Sequence, residues 1–150
     1  MKRYSLVIAF LLIGYIPATL MAQGKFRHLK EWVGKYPTFN DTKPHKEFLK
    51  LPEIQKSLLH LLPSDDYRFL TKTCGKEVPI KMIGDFLIIR RCHHYACAYG
   101  SAVLLINLQD GAMHVAIRNE KDEDQRWFST NGKYKDLLFE VQRGWTIVEH

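Results

Sequence analysis

Two continuous apolar runs constrain this chain more than any other feature: Phe86-Leu87-Ile88-Ile89 and Val103-Leu104-Leu105-Ile106. Runs of this length and purity fill the centre of a sheet. The loop that joins them carries two of the three cysteines, in the order Cys92-His93-His94-Tyr95-Ala96-Cys97. Gly84-Asp85 before the first run suits a two-residue hairpin turn, with Gly first as a type II′ turn requires. After the second run, Asp110-Gly111 is another hairpin turn and leads into residues 112–118. There Met113, Val115 and Ile117 alternate with His114, Ala116 and Arg118, the period of a strand. Residues 120–124 read as a solvated charged connection, and 125–129 as a last strand. Two weaker strands are predicted upstream at 67–71 and 78–82, with Pro79 confining the latter to an edge.

The rest of the chain reads as helical. Residues 26–33 form a short amphipathic run that Gly34 and Pro37 end. Asp41-Thr42-Lys43-Pro44 supplies a capping side chain and then Pro, the grammar of a helix start, with Phe48, Leu49 and Leu51 as apolar members. Pro52 interrupts. Residues 53–62 resume with Ile54, Leu58, Leu61 and Leu62 on one stripe and Glu53, Lys56, Ser57 and His60 on the other, until Pro63 stops the helix. Asn131-Gly132 turns into a terminal helix holding Leu137, Leu138 and Val141. Together these elements predict an α+β fold: an antiparallel sheet of about five strands with helices packed against it. No repeat, low-complexity tract or internal boundary divides it, and 150 residues are the length of one ordinary domain.

The N-terminus reads as an export signal. Lys2 and Arg3 precede an uncharged stretch, residues 4–22, that ends on small Ala22, so residues 1–22 are expected to be removed and 23–150 to form the domain. An uncleaved anchor is the rival reading, since the stretch could just span a bilayer; Gly14, Pro17 and Ala22 favour cleavage. No Cys stands at the cut to make a lipoprotein. Periplasmic or secreted location follows, with membrane contact only through the signal. Loss of Lys2 and Arg3 lowers the formal charge from +6 to about +4. That excess is spread along the chain without a basic block, so nucleic acid is not expected as a partner. A polyanionic surface or an acidic protein patch suits it better.

Export puts the cysteines where disulfides persist. A Cys92–Cys97 bridge would close a very short ring, worth about 2 kcal/mol by loop entropy. Its larger effect would be local, holding the side chains of the loop in one shape. Cys74 is then either a free buried thiol or the partner of one of the other two; spacing leaves both open. Zinc is a rival reading of a loop with two His and two Cys, but the second knuckle of a structural site is missing, with only Cys74 and His114 elsewhere to help. A Cys–His nucleophile would need a free thiol and a third, orienting residue. The plainest reading is a stapled turn. Asp65-Asp66 and the 120–124 cluster read as polar loops, Asn40-Asp41-Thr42 is a glycosylation sequon, and Trp32, Trp127 and Trp145 suit core or interface packing. No phosphate cradle, G-x-S-x-G, H-E-x-x-H or paired-carboxylate motif is present. Neither enzyme activity nor a metal or other cofactor is expected.

Leu62-Pro63, a Tyr67-centred strand, Gly75, Pro79, Gly84-Asp85, Arg91 through Cys97 and the apolar strand that follows resemble the inhibitor of vertebrate lysozyme (Ivy) family. The resemblance spans roughly residues 44–138, and its distinctive part is the six-residue loop. Family members are exported proteins in which a disulfide-closed Cys-Lys-Pro-His-Asp-Cys loop enters the active-site cleft of C-type lysozyme, its His meeting the catalytic carboxylates. The resemblance therefore implies a Cys92–Cys97 bridge with Cys74 free, and a target-binding loop made of His93, His94, Tyr95 and Ala96. Arg90 and Arg91 at its base would be flanking contacts that strengthen the positive field; as plain strand-end charges they would simply be solvated. The fourth loop position is Tyr95 where the family has His, and Ala96 replaces the acidic fifth. Among the two His, His94 is expected to project and His93 to pack against the base.

The implied function is an exported proteinaceous inhibitor of a lysozyme-like muramidase or other peptidoglycan hydrolase, acting on a host enzyme or as an immunity protein, as monomer or homodimer. C-type lysozymes are strongly basic, so steering toward them is unfavourable for a cationic chain, and inhibition of them is expected to be weaker than in family members with His at the fourth loop position, with a slow on-rate that added salt improves. The alternatives are a non-inhibitory envelope binding module on the same fold and a secreted metal-binding protein.

Overall fold

The computed structural model describes residues 26–38, 47–93, 95, 97–120 and 124–133. Their six strands are β1 (Lys76–Glu77), β2 (Lys81–Ile83), β3 (Phe86–Cys92), β4 (Gly100–Asn107), β5 (Met113–Asn119) and β6 (Arg126–Ser129). All pair antiparallel. The sheet order is β1-β3-β4-β5-β6, and β2 shares with β1 the outer edge of β3. The two apolar runs lie side by side at the centre, with Leu87 opposite Ile106 and Ile89 opposite Leu104. The expected α+β architecture is therefore present. Gly84, the first residue of the β2–β3 turn, takes a φ of 56° while Asp85 stays out of the left-handed region, the pattern a type II′ turn needs.

Of the predicted strand 78–82 only Lys81 and Met82 are strand, in β2; β1 ends at Glu77, ahead of Pro79. The chain between them leaves the sheet: Ile80 donates its N–H to the Lys35 carbonyl and accepts from Gly34 N–H, each at 2.8 Å. Residues 67–71, predicted as a strand, are helical instead. A short helix, Ser64–Arg68, runs directly into a π-helical turn, Phe69–Thr73. Pro63 holds the extended backbone that starts it, and Asp65 and Asp66 place negative charge in its first turn, where the helix dipole favours it. The Thr71 hydroxyl donates to the Tyr67 carbonyl one turn back at 2.7 Å. Phe69 and Leu70 thereby reach the core. Burial outweighs the strand preference of Tyr, Phe and Thr.

Asp65-Asp66 is not a polar loop either. Asp66 is buried and grips Arg126 of β6 through both carboxylate oxygens, at 2.8 and 3.0 Å. This pair ties the short helix to the sheet. Pro52–Leu61 forms the longer α-helix with Pro at its first position; Ile54 and Leu58 are fully buried, Leu62 follows in extended backbone and Leu59 stays exposed. Residues 26–33 contain a 3₁₀ turn, Arg27–Trp32, that buries Leu29 and Trp32. Trp32 meets Phe48 edge-on with ring centroids 5.3 Å apart. No helix among the described residues is long and apolar enough to cross a membrane. Residues 1–25, the sequon, the helix start at Asp41, Trp145 and the predicted terminal helix lie outside the described residues.

Both faces of the sheet are buried. On one, Leu87, Ile89, Leu104, Ile106, Met113, Val115 and Ile117 join Leu29, Trp32, Phe48, Ile54 and Leu58 in a single core. Each such side chain contributes about 1.5–3 kcal/mol when fully buried. The other face carries a smaller cluster, Ile88, Val103, Leu105 and Ala116, with Phe86 and Trp127 against it. Residues 86–89 and 103–106 read as unbroken apolar runs because successive side chains enter different clusters.

Candidate functional site

The bridge between Cys92 and Cys97 closes the β3–β4 loop, with Cα atoms 4.7 Å apart. His93 N–H still donates to the Gly100 carbonyl at 2.9 Å, so the ladder between the strands continues one residue past Cys92. A 3₁₀ turn, Cys97–Tyr99, returns the chain to β4. Gly100 starts that strand with a φ of 148°, and a Cβ there would sit 2.7 Å from Phe69 Cζ. The close approach of the π-helical turn requires glycine.

On this base the loop presents rings. Tyr95 is 77% exposed, the most exposed large apolar-bodied side chain among the described residues, and Tyr99 is 47% exposed. The His93 ring lies between them, 5.5 Å from Tyr95 and 6.1 Å from Tyr99 in an edge-on contact. Tyr95 N–H points at His93 Nδ1 at 3.4 Å. His93 is half-buried and stacks with the tip rather than only with the loop base. His94 and Ala96 lie outside the described residues. A groove runs beside the rings toward the short helix, lined also by Asp65, Arg68 and Glu120. Tyr99 and these charges escape a reading confined to the six-residue loop. The signal available was Tyr99 itself, an aromatic residue two places beyond Cys97 in a segment of small residues.

Of the flanking arginines, Arg91 cannot serve as an exposed contact. It lies on the helix-covered face, where Nη2 meets Glu77 Oε1 at 3.0 Å with both side chains 5% exposed. Its Nη1 donates to the Leu70 carbonyl at 2.9 Å. Burial pulls its pKa below the ordinary arginine value while Glu77 acts to raise it. Arg91 is a structural charge that ties β3 to β1 and to the π-helical turn. Arg90, one residue earlier, points to the opposite face and is half-buried; burial lowers its pKa as well. Cys74 is a free thiol, fully buried beneath the sheet. Burial pushes its pKa up to about 12, against the opposing pull of Arg91, so the thiolate needed for nucleophilic chemistry is disfavoured. Among the described residues no three His, Cys, Asp or Glu side chains converge as metal ligands would.

Comparison with protein-family models, with curated proteins and with solved structures finds no match. The likeness of the loop region to the Ivy family thus rests on the residues quoted for it.

Proposed function

We propose that this chain is an exported protein inhibitor of a lysozyme-like muramidase or related peptidoglycan hydrolase, and that its disulfide-closed loop occupies the target's cleft. The observation that carries this reading is the ring-tipped loop: Tyr95 is 77% exposed at the end of a stapled turn between the two central strands. Rigid aromatic side chains give large contact area at low entropic cost, and such residues dominate protein interfaces. Glycosidase clefts hold two carboxylates in a partly apolar groove. Tyr95 offers such a cleft a ring and a hydroxyl donor. A His beside a carboxylate gains a proton and then a charge-assisted hydrogen bond. Arg91 has no part in this recognition.

Capture of enzymes from a panel of lysozymes and peptidoglycan hydrolases tests the reading, followed by inhibition assays on whatever is retained. One hydrolase should be inhibited stoichiometrically, and the triple variant His93→Ala/His94→Ala/Tyr95→Ala should lose that inhibition with its fold intact by circular dichroism. Inhibition that survives the triple change would refute the loop mechanism. Binding to peptidoglycan without inhibition of any hydrolase would favour an envelope binding module.

A further inference from the structure

A second site stands at the base of the loop, on the sheet face opposite the helices. Register places Lys76, Cys92, Ser101 and Arg118 on one rung across β1, β3, β4 and β5. Directly opposed residues share a face, so these four side chains point the same way. Arg90, two residues before Cys92, and its cross-strand partner Val103 belong to the same face. Together with Val78 and Cys97 they line a cavity of about 280 Å³. Such a space holds a small organic molecule, at the low end of ligand pockets.

Two properties of this cavity point to an anion. Ser101 is 4% exposed, and its hydroxyl has no hydrogen-bond partner among the described residues. A buried hydroxyl left unpaired costs free energy that a ligand acceptor would recover. Beside Arg91, which Glu77 and the Leu70 carbonyl hold, three further basic residues line the cavity: Lys76, Arg90 and Arg118. The one carboxylate in the lining among the described residues, Glu77, is engaged elsewhere: Arg91 lies 3.0 Å from one oxygen, and Thr38 donates to the other from N–H and hydroxyl. Arg90 and Arg118 make other contacts too, yet a guanidinium has five donors and can serve more than one acceptor. The remaining wall is apolar: Val78, Val103 and the disulfide.

We propose that this cavity binds a small organic carboxylate, its head on Ser101 and the surrounding cations and its short apolar stem against the valines and the disulfide. A carboxylate accepts from the hydroxyl and from planar guanidinium groups, and charge-assisted bonds of this kind are the strong ones. Inorganic phosphate would satisfy the cations but waste the apolar wall. A neutral amide would fill the wall but leave the cations unanswered. This site shares the disulfide with the loop but none of its exposed rings, and its occupancy does not depend on the inhibitor reading.

Titration of the purified protein with sodium butyrate, butyramide and inorganic phosphate, followed by two-dimensional amide NMR, tests the proposal. Butyrate should give saturable shifts at Arg90, Ser101 and Arg118, weaker for both other probes. Ser101→Ala should weaken butyrate about tenfold, the loss expected for one hydrogen bond to a charged group. Arg118→Gln gives an independent variant and should weaken it as well. Absence of saturable shifts, phosphate or butyramide binding as tightly as butyrate, or unchanged affinity in both variants would overturn the assignment.

Discussion

Arg90 and Arg91 are neighbours on one strand, and the two faces of the sheet treat them in opposite ways. Arg91 sits beneath the helices in a closed arrangement: a carboxylate at 3.0 Å, a carbonyl at 2.9 Å and 4% residual exposure. Arg90 stands beside a cavity with a buried hydroxyl that no described residue answers. On the helix-covered face the Nη atoms of Arg91 hold elements together, although its Nε and the Trp32 indole Nε1 have no hydrogen-bond partner among the described residues. On the other face the atom so left, the Ser101 hydroxyl, borders a cavity. A buried charge is tolerable only when paired, and an unpaired buried polar group in a folded protein calls for an explanation. Stability and recognition can therefore be altered at different positions of one strand.

The sharpest way to break this contrast is Arg91→Ala. Removing one member of a buried pair strands Glu77, and stability should fall by about 3–5 kcal/mol in chemical denaturation. A loss under 1 kcal/mol would mean that the helix-covered face is not closed by charge, in the sense of an ordinary surface pair. Next in size is Tyr95→Ala, at the loop beyond both faces. It should cost about 2 kcal/mol of binding to the captured hydrolase, mainly through faster dissociation. Thermal stability of that variant should match the parent, because an exposed tip adds little to the core. A smaller effect of opposite sign is expected at Ser101. Without ligand, Ser101→Ala removes an unanswered hydroxyl and should raise stability by about 1 kcal/mol, read from the denaturation midpoint. Destabilisation there would indicate that the hydroxyl supports the fold.

The fourth test concerns pH. His114 is buried on the same face as Ser101, with Nδ1 2.8 Å from the Ser129 hydroxyl. Burial lowers its pKa from the ordinary 6.5, with Asp110 pulling weakly the other way. The folded state therefore resists protonation that the unfolded chain accepts. The His114 contribution is fully present above pH 6.5 and is lost as pH falls from there through the lower folded value. His114→Asn should flatten that part of the stability–pH curve. An unchanged slope would assign it to another group.

Much of this architecture is legible in the sequence. The apolar runs 86–89 and 103–106 become the paired central strands, Pro79 stands at an edge, and the 53–62 stripe is a helix. These signals are local, and burial agrees with them. The segment 67–71 misleads because its residues favour strands in isolation, whereas their helical spacing toward the core is fixed by Leu70 and by the Asp66–Arg126 pair, sixty positions apart. Arg91 misleads for a related reason. Alternation assigns it to the face of Leu87 and Ile89, but which face the helices cover is a tertiary fact. The ring-tipped loop was visible from its cysteines. The Lys76–Cys92–Ser101–Arg118 rung was not, since it joins four strands through a register that no short window contains.

The divided edge has a bearing on how this chain avoids pairing with its own copies. A long, flat outer strand offers unpaired amides to any passing chain, and such rails seed aggregates. Here the outer neighbour of β3 is two stubs, Lys76–Glu77 and Lys81–Ile83, each opening on lysine and separated by Pro79. The residue between them that could have continued the rail, Ile80, is already bonded to Gly34 and Lys35. Self-templating along that side is hindered by the shortness of both stubs, by Pro79 and by the hydrogen bonds that hold Ile80.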